Sequence, residues 1–198
     1  MKDKNKIIVN PYQSPCGVLL LGSIGDKLCL CDWRTEKHSA RVDNRLKRMW
    51  NAEFEEGTSA VIESARQQLD EYFAGKRQTF DIPLLFIGTD FQKTVWSELL
   101  KIPFGTSVSY GEVARRIGRP AAVRAVANAN GANPMSIFVP CHRVIGSDRS
   151  LTATAAGLAP NRDYLSWKGF CDIDYRLKCS FSGYHIIRYI ADVLHNIV

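Results

Sequence analysis

Apolar positions follow two different periods along this chain, and the change of period divides it. Gly17-Val18-Leu19-Leu20-Leu21-Gly22 is one apolar run, Gly22 to Lys27 carries turn residues, and Leu28-Cys29-Leu30-Cys31-Asp32-Trp33 is a second run. Two such runs around a Gly-rich turn predict a β-hairpin. Ser59 to Ala74 predicts an amphipathic helix. Val61, Ala65, Leu69, Tyr72 and Phe73 recur there at three- and four-residue spacing, and Gly75 stands at the stop position. Gln78 to Phe86 returns to alternation through Phe80, Ile82 and Leu84 and predicts a strand.

Gly88-Thr89-Asp90 marks a hinge, and helical spacing dominates beyond it. Phe91 to Lys101 predicts a helix with Phe91, Val95, Leu99 and either Trp96 or Leu100 on one side. Ile102-Pro103-Phe104-Gly105-Thr106 must break it. Ser109 with Glu112 predicts a capping box opening a helix from Tyr110 to Ile117, which Gly118 ends. After Arg119-Pro120, Ala121 to Asn130 predicts a third helix ending at Gly131, so the pair is a helix-turn-helix candidate. Ser136-Ile137-Phe138-Val139 predicts a buried strand. Ile187, Ile190, Ala191, Leu194 and Val198 predict a C-terminal amphipathic helix over Tyr184 to Val198, packed on the body of the protein. The resulting division is residues 1–87, residues 88–170 and a tail, residues 171–198.

The chain has 198 residues, 45% of them hydrophobic and 23% charged, which excludes a disordered chain. No apolar run approaches the ~20 residues needed to span a bilayer, so no membrane partner is expected. No apolar signal-peptide core follows the basic start, and a cytoplasmic protein is expected, or a nuclear one in a eukaryote. Charge changes the picture more. The net charge is +6, and between Lys101 and Arg162 eight basic residues stand against Glu112 and Asp148 alone. Such an excess attracts polyanions by counterion release. The six cysteines do not form a disulfide framework in a chain of this length. Cys16, Cys29, Cys31 and His38 invite a metal reading, and Cys29 and Cys31, two apart on a strand, are expected on one face. Their spacing is not that of a zinc motif, so strand packing is the expectation, with no metal and no cofactor.

The sharpest local feature is Pro140-Cys141-His142-Arg143-Val144. Neighbouring positive charge favours thiolate over thiol, and the thiolate is the nucleophile. A bare Cys-His pair is more often an inert cysteine beside a surface histidine. Context reverses that weighing. In Gly88-Thr89-Asp90-Phe91-Gln92, Ile102-Pro103-Phe104-Gly105, Ser109-Tyr110-Gly111-Glu112-Val113-Ala114, Arg124-Ala125-Val126, Asn133-Pro134 and Pro140 to Asp148, the chain resembles the O6-alkylguanine-DNA alkyltransferases. The likeness runs from about Ser14 to Gly169.

The resemblance implies an α+β fold: a small ribonuclease-H-like unit with an antiparallel sheet and a helix, followed by a helical helix-turn-helix (winged-helix-like) domain. It implies direct-reversal repair of duplex DNA containing O6-alkylguanine, bound in the minor groove by a monomer. Cys141 would take the alkyl group once, as a suicide reagent, after the base is flipped out of the stack. His142, through a water, would keep Cys141 ionised, Tyr110 would donate to the damaged guanine, and Asn133 would brace the turn before the cysteine. Arg124 matches the arginine that fills the gap left by the flipped nucleotide. The alanines Ala121, Ala122, Ala125, Ala127 and Ala129 would let the helix approach a narrow groove. The same likeness puts Asn130 and Arg143 among the DNA contacts. It puts Ser136, Val144, Thr154 and Ala155 around the pocket with Tyr110.

The chain departs from the family after the cysteine. The usual Gly-Tyr-Ala/Ser-Gly-Gly-Leu reads Ala153-Thr154-Ala155-Ala156-Gly157-Leu158, and Arg149 replaces a turn glycine. Lys168 stands where the family has a glutamate that orients the histidine, and lysine cannot accept that hydrogen bond. Two readings follow: a single-turnover methyltransferase, or a lesion-binding protein that has lost the relay.

Overall fold

The computed structural model describes residues 4–15, 17–34 and 38–146. The expected hairpin is the centre of a four-stranded sheet. β1 (Asn5–Ser14), β2 (Gly17–Ile24) and β3 (Lys27–Trp33) pair antiparallel, and α1 (His38–Trp50) leads to β4 (Ala52–Glu56), which pairs parallel with β1. The order is β3-β2-β1-β4, so the sheet is mixed rather than antiparallel throughout. α1 escapes a reading by periodicity because Val42 and Leu46 are its only buried apolar residues.

Alternation along β2 feeds two cores. Leu20 packs with Ile7, Val9, Val42 and Leu46 on the α1 side. Leu19 and Leu21 face the other way, toward α2 (Ala60–Phe73) and the second half of the chain. α2 follows its expectation closely. Ser59 caps it by accepting from the Ile62 N–H, and Val61, Ala65, Leu69 and Tyr72 are buried.

A bulge changes the side-chain count on β3. Ser23 pairs with Leu28 and Gly22 with Leu30, leaving Cys29 as the extra residue. Cys29 and Leu30 therefore both point to the α1 side, while Leu28 and Cys31 point to the α2 side. This corrects the expectation that Cys29 and Cys31 share a face.

The alternating stretch Gln78 to Phe86 is not a strand. Phe80, Ile82 and Leu84 do turn inward, but the pairing is one parallel bridge, Leu28 to Leu84. The Leu28 N–H donates to the Pro83 carbonyl and the Leu85 N–H to the Leu28 carbonyl, each at 2.8 Å. The ladder stops there because the rest of the β3 edge is taken: Cys31 bridges to Met135.

Beyond Gly88 come α3 (Asp90–Leu99), β5 (Val108–Ser109), α4 (Tyr110–Arg116), α5 (Val123–Gly131), a 3-10 turn (Cys141–Arg143) and β6 (Val144–Ile145). Thr89 and Gln92 form a capping box at the start of α3. Trp96, not Leu100, faces inward; it is fully buried, and its indole N–H donates to the Ala129 carbonyl at 2.8 Å. A Cβ on Gly88 would lie 2.6 Å from the Trp96 ring, which accounts for glycine at that position. The main apolar cluster runs without a break from Tyr12, Leu19 and Leu69 to Val95, Trp96, Val126 and Val144. Among the described residues no helix is long and apolar enough to cross a membrane.

Candidate active site

The cysteine turn is assembled by a very short parallel pairing. Val108 pairs with Val144 and Ser109 with Ile145. Tyr110 follows β5 directly and Arg143 precedes β6 directly, so this pairing brings the head of α4 beside the Cys141–Arg143 turn. Ser109 caps α4 by accepting from the Glu112 N–H at 3.1 Å. The expected capping box is not completed: the Glu112 carboxylate instead engages Arg115 and Arg116.

Tyr110 is buried, and burial raises its phenol pKa. Negative charge on the Cys141 sulfur raises it further, and a hydrogen bond from the Asn130 side chain lowers it. A phenol held neutral in this way is a proton donor rather than a base. Among the described cysteines, Cys141 is half-buried while Cys29 and Cys31 are fully buried. Burial pushes the Cys29 thiol up to about 12 and the Cys31 thiol well above its usual range. Those two are inert packing residues. His142 lies beside Cys141 on the 3-10 turn, partly exposed.

Residues 133–139 form a knot of backbone bonds rather than the expected buried strand. The Asn133 amide donates to the Val139 carbonyl at 2.9 Å and to Met135 at 3.4 Å, while its oxygen accepts from the Met135 N–H at 3.0 Å. The Phe138 N–H reaches the Ser136 carbonyl and the Val139 N–H the Met135 carbonyl, each at 2.9 Å. Ile137 sits at φ 74°, a left-handed conformation that a β-branched residue adopts only under strain. Burial from Met135 to Val139 imitates a strand in sequence; the bonds close a turn.

The helix-turn-helix is present as α4 and α5, with differences. α5 begins at Val123, because the chain turns over Pro120 and Ala121 with the Ala122 N–H donating to the Arg119 carbonyl at 2.9 Å. Ala121, Arg124 and Ala125 are exposed, as is Val123 beside them. The alanines do not share one face: Ala129 is packed under Trp96. Asn130, expected among the DNA contacts, also points inward and donates to the Cys141 carbonyl at 3.2 Å. Arg143 is likewise no surface cation. It is buried, donates to the Ile102 carbonyl at 2.8 Å and lies 5.5 Å over the Phe104 ring. The signal for α5 was available: Val126, Ala129 and Asn130 stand at helical spacing and form its inner stripe. In the pocket set, Val144 is buried and the Ser136 hydroxyl donates to the Asp32 carboxylate at 3.3 Å. Thr154, Ala155, Arg149, Lys168, Cys16 and the tail helix lie outside the described residues. Among the described residues no three His, Cys, Asp or Glu side chains group as metal ligands.

Known proteins carry this arrangement. Residues 7–86 match the ribonuclease-like domain of 6-O-methylguanine DNA methyltransferase, and residues 90–170 match its DNA-binding domain. A methylated-DNA–protein-cysteine methyltransferase of Methanosarcina acetivorans is 40% identical over 160 residues, spanning 81% of this chain and 97% of that one. The O6-methylguanine methyltransferase of Mycobacterium tuberculosis superposes with a TM-score of 0.63 at 38% identity, covering 86% of this chain and 98% of that one. A Mycobacterium tuberculosis OGT in complex with DNA gives a TM-score of 0.61 at 38% identity, covering 74% and 84%. The ribonuclease-like domain followed by the DNA-binding domain defines one class, the 6-O-methylguanine DNA methyltransferases. This chain belongs to the methylated-DNA–protein-cysteine methyltransferase family.

Proposed function

We propose that this protein repairs alkylated DNA by direct reversal, transferring an alkyl group from O6 of guanine in duplex DNA to its own Cys141. The observation that carries the assignment to Cys141 is its half-exposed place on the turn beside Tyr110 and the helix-turn-helix, while Cys29 and Cys31 are sealed in the cores. Transfer rather than mere lesion binding is supported by the relatives' shared identity as methyltransferases. The DNA-bound mycobacterial relative supports duplex DNA as the partner.

An alkyl group on a stacked guanine is beyond the reach of a protein thiol, so the nucleotide must leave the stack, at a cost of a few kcal/mol. The exposed Arg124, at the head of α5, fills the vacated space. Cys141 sulfur then attacks the alkyl carbon in line with the C–O6 bond. The S–C bond forms, the C–O6 bond breaks, and its electron pair stays with guanine. The proton that the thiol gives up to His142 and water is balanced by one taken up on the guanine. Tyr110, kept neutral by burial and by the nearby Cys141 sulfur, lowers the barrier by donating a hydrogen bond as charge builds on the leaving base. The thioether on Cys141 is stable, so each molecule acts once.

Incubation with duplex DNA carrying one O6-methylguanine tests this directly. Intact-mass analysis should show a gain of one methyl group, mapped to Cys141. Unchanged mass together with lesion-selective binding would overturn the reading in favour of a damage sensor.

A further inference from the structure

The cysteine turn is fastened to the ribonuclease-like unit at several points, none of which belongs to the chemistry described above. At the outer edge of β3 the Cys31 N–H donates to the Pro134 carbonyl at 2.9 Å, and the Ser136 N–H donates to the Cys31 carbonyl at 2.7 Å. One residue on, the Asp32 carboxylate accepts from the Ser136 hydroxyl at 3.3 Å. From α1, the Arg45 guanidinium donates to the Ala132 carbonyl. Asp32 and Ser136 are both buried. The strained Ile137 and the half-exposed Cys141 follow within five residues of Ser136.

We propose that Asp32 and Arg45 are positioning residues for alkyl transfer: they clamp residues 132–136 to β3 and through that turn fix the place of Cys141. A turn carrying a left-handed isoleucine relaxes unless its surroundings over-determine it. Asn133 braces it from within, and Asp32 and Arg45 brace it from the other unit. A buried carboxylate is an expensive way to anchor a loop, because desolvation penalises its charged form. Desolvation is the main reason the Asp32 pKa is raised to about 7; the nearby Asp43 raises it too, and the Trp33 N–H, Ser136 and Arg45 lower it. Arg34 engages Asp43 at 2.8 Å on the side away from the turn. Such a group weakens the fold, so its place at the seam with the reactive turn points to a role in geometry.

The proposal rests on the transfer reading for its kinetic arm, so the test carries a second, independent arm. Asp32→Ala, Asp32→Asn and Ser136→Ala are made in the whole chain. Amide hydrogen exchange should quicken over residues 132–141 in Asp32→Ala and Ser136→Ala, with exchange in β1 and α2 unchanged, while Asp32→Asn, whose amide oxygen can still accept from Ser136, should quicken it less and hold or raise the melting temperature. The single-turnover transfer constant at saturating lesion DNA should fall roughly 10- to 100-fold, the scale of a small misplacement of reacting groups, and in Asp32→Ala affinity for that DNA should be unaltered. Arg45→Lys should retain more of the rate than Arg45→Ala. Unchanged exchange over residues 132–141, or a transfer constant that follows melting temperature alone, would overturn the clamp. Absence of transfer in the unaltered protein would count against the proposed function only, and the exchange comparison would decide the clamp by itself.

Discussion

The Asn130 side chain, on the inner face of α5, donates to the backbone carbonyl of Cys141. The helix that offers Arg124 and Ala125 to solvent is thereby bonded to the residue that carries the thiol. The same side chain also touches the Tyr110 phenol. One amide thus ties the inner face of α5, the Tyr110 phenol and the Cys141 turn together.

Cys141→Ala should abolish transfer and leave lesion binding intact. Mass analysis and gel shift on one sample check both. A loss of binding equal to the loss of transfer would make Cys141 a structural residue.

Arg124→Ala should slow transfer from duplex DNA by roughly two orders of magnitude, the kinetic equivalent of a flipping cost of a few kcal/mol. Transfer from the free O6-alkylguanine base should be unaffected, since nothing then needs unstacking. Equal rates on duplex DNA for the variant and the unaltered protein would remove Arg124 from flipping.

Tyr110→Phe should lower the transfer constant about 10²-fold, the low end for a positioned proton donor, and leave DNA affinity unchanged. An unaltered constant would show that the leaving guanine needs no donor from this side chain.

Asn133→Ala removes the hydrogen bonds that close the turn and leaves buried backbone groups without them, at a cost of about 1–3 kcal/mol. Thermal unfolding should report it as a lower melting temperature. A neutral substitution would mean that the Cys31 bridges alone hold the turn.

Asp32 gives a pH dependence with a defined sign. Its folded pKa is about 7 against 3.8 for the free side chain, so between these values the folded protein holds a proton that the unfolded chain has lost. Stability from this group is fully present below pH 4 and declines as pH rises to about 7. Melting temperature measured from pH 4.5 to 8 should carry this decline, and Asp32→Asn should flatten it. An identical slope in the variant would show that Asp32 ionises freely.

Much of this was legible in the sequence where the signal is local. The β2–β3 hairpin, α2 with its Ser59 cap, the arrest at Gly75 and the α4–α5 pair follow from periodicity and caps. Motif order brings Cys141, Tyr110 and Asn133 forward as the candidate site, and the β5–β6 pairing sets Tyr110 beside the Cys141 turn. What escaped depends on partners distant in the chain. Gln78 to Phe86 has the period of a strand but finds only Leu28 to pair with. The resemblance puts Arg143 among the DNA contacts, whereas its guanidinium is turned inward to the Ile102 carbonyl and the Phe104 ring. The bulge at Cys29 cannot be read from Leu28-Cys29-Leu30-Cys31, because alternation assumes an unbroken ladder. Asp32 and Arg45 reach the cysteine turn across gaps of about a hundred residues, which no local pattern encodes.

The outer edge of β3 has a consequence for handling the protein in solution. An open strand edge is a template on which a second chain can add itself, and folds commonly guard such edges. Here the guards are the Pro83–Leu85 bridge and the cysteine turn. The segment that must stay still for chemistry is also the one that keeps neighbouring molecules from docking strand to strand. Substitutions that loosen it should therefore raise the tendency to self-associate at the same time as they slow repair.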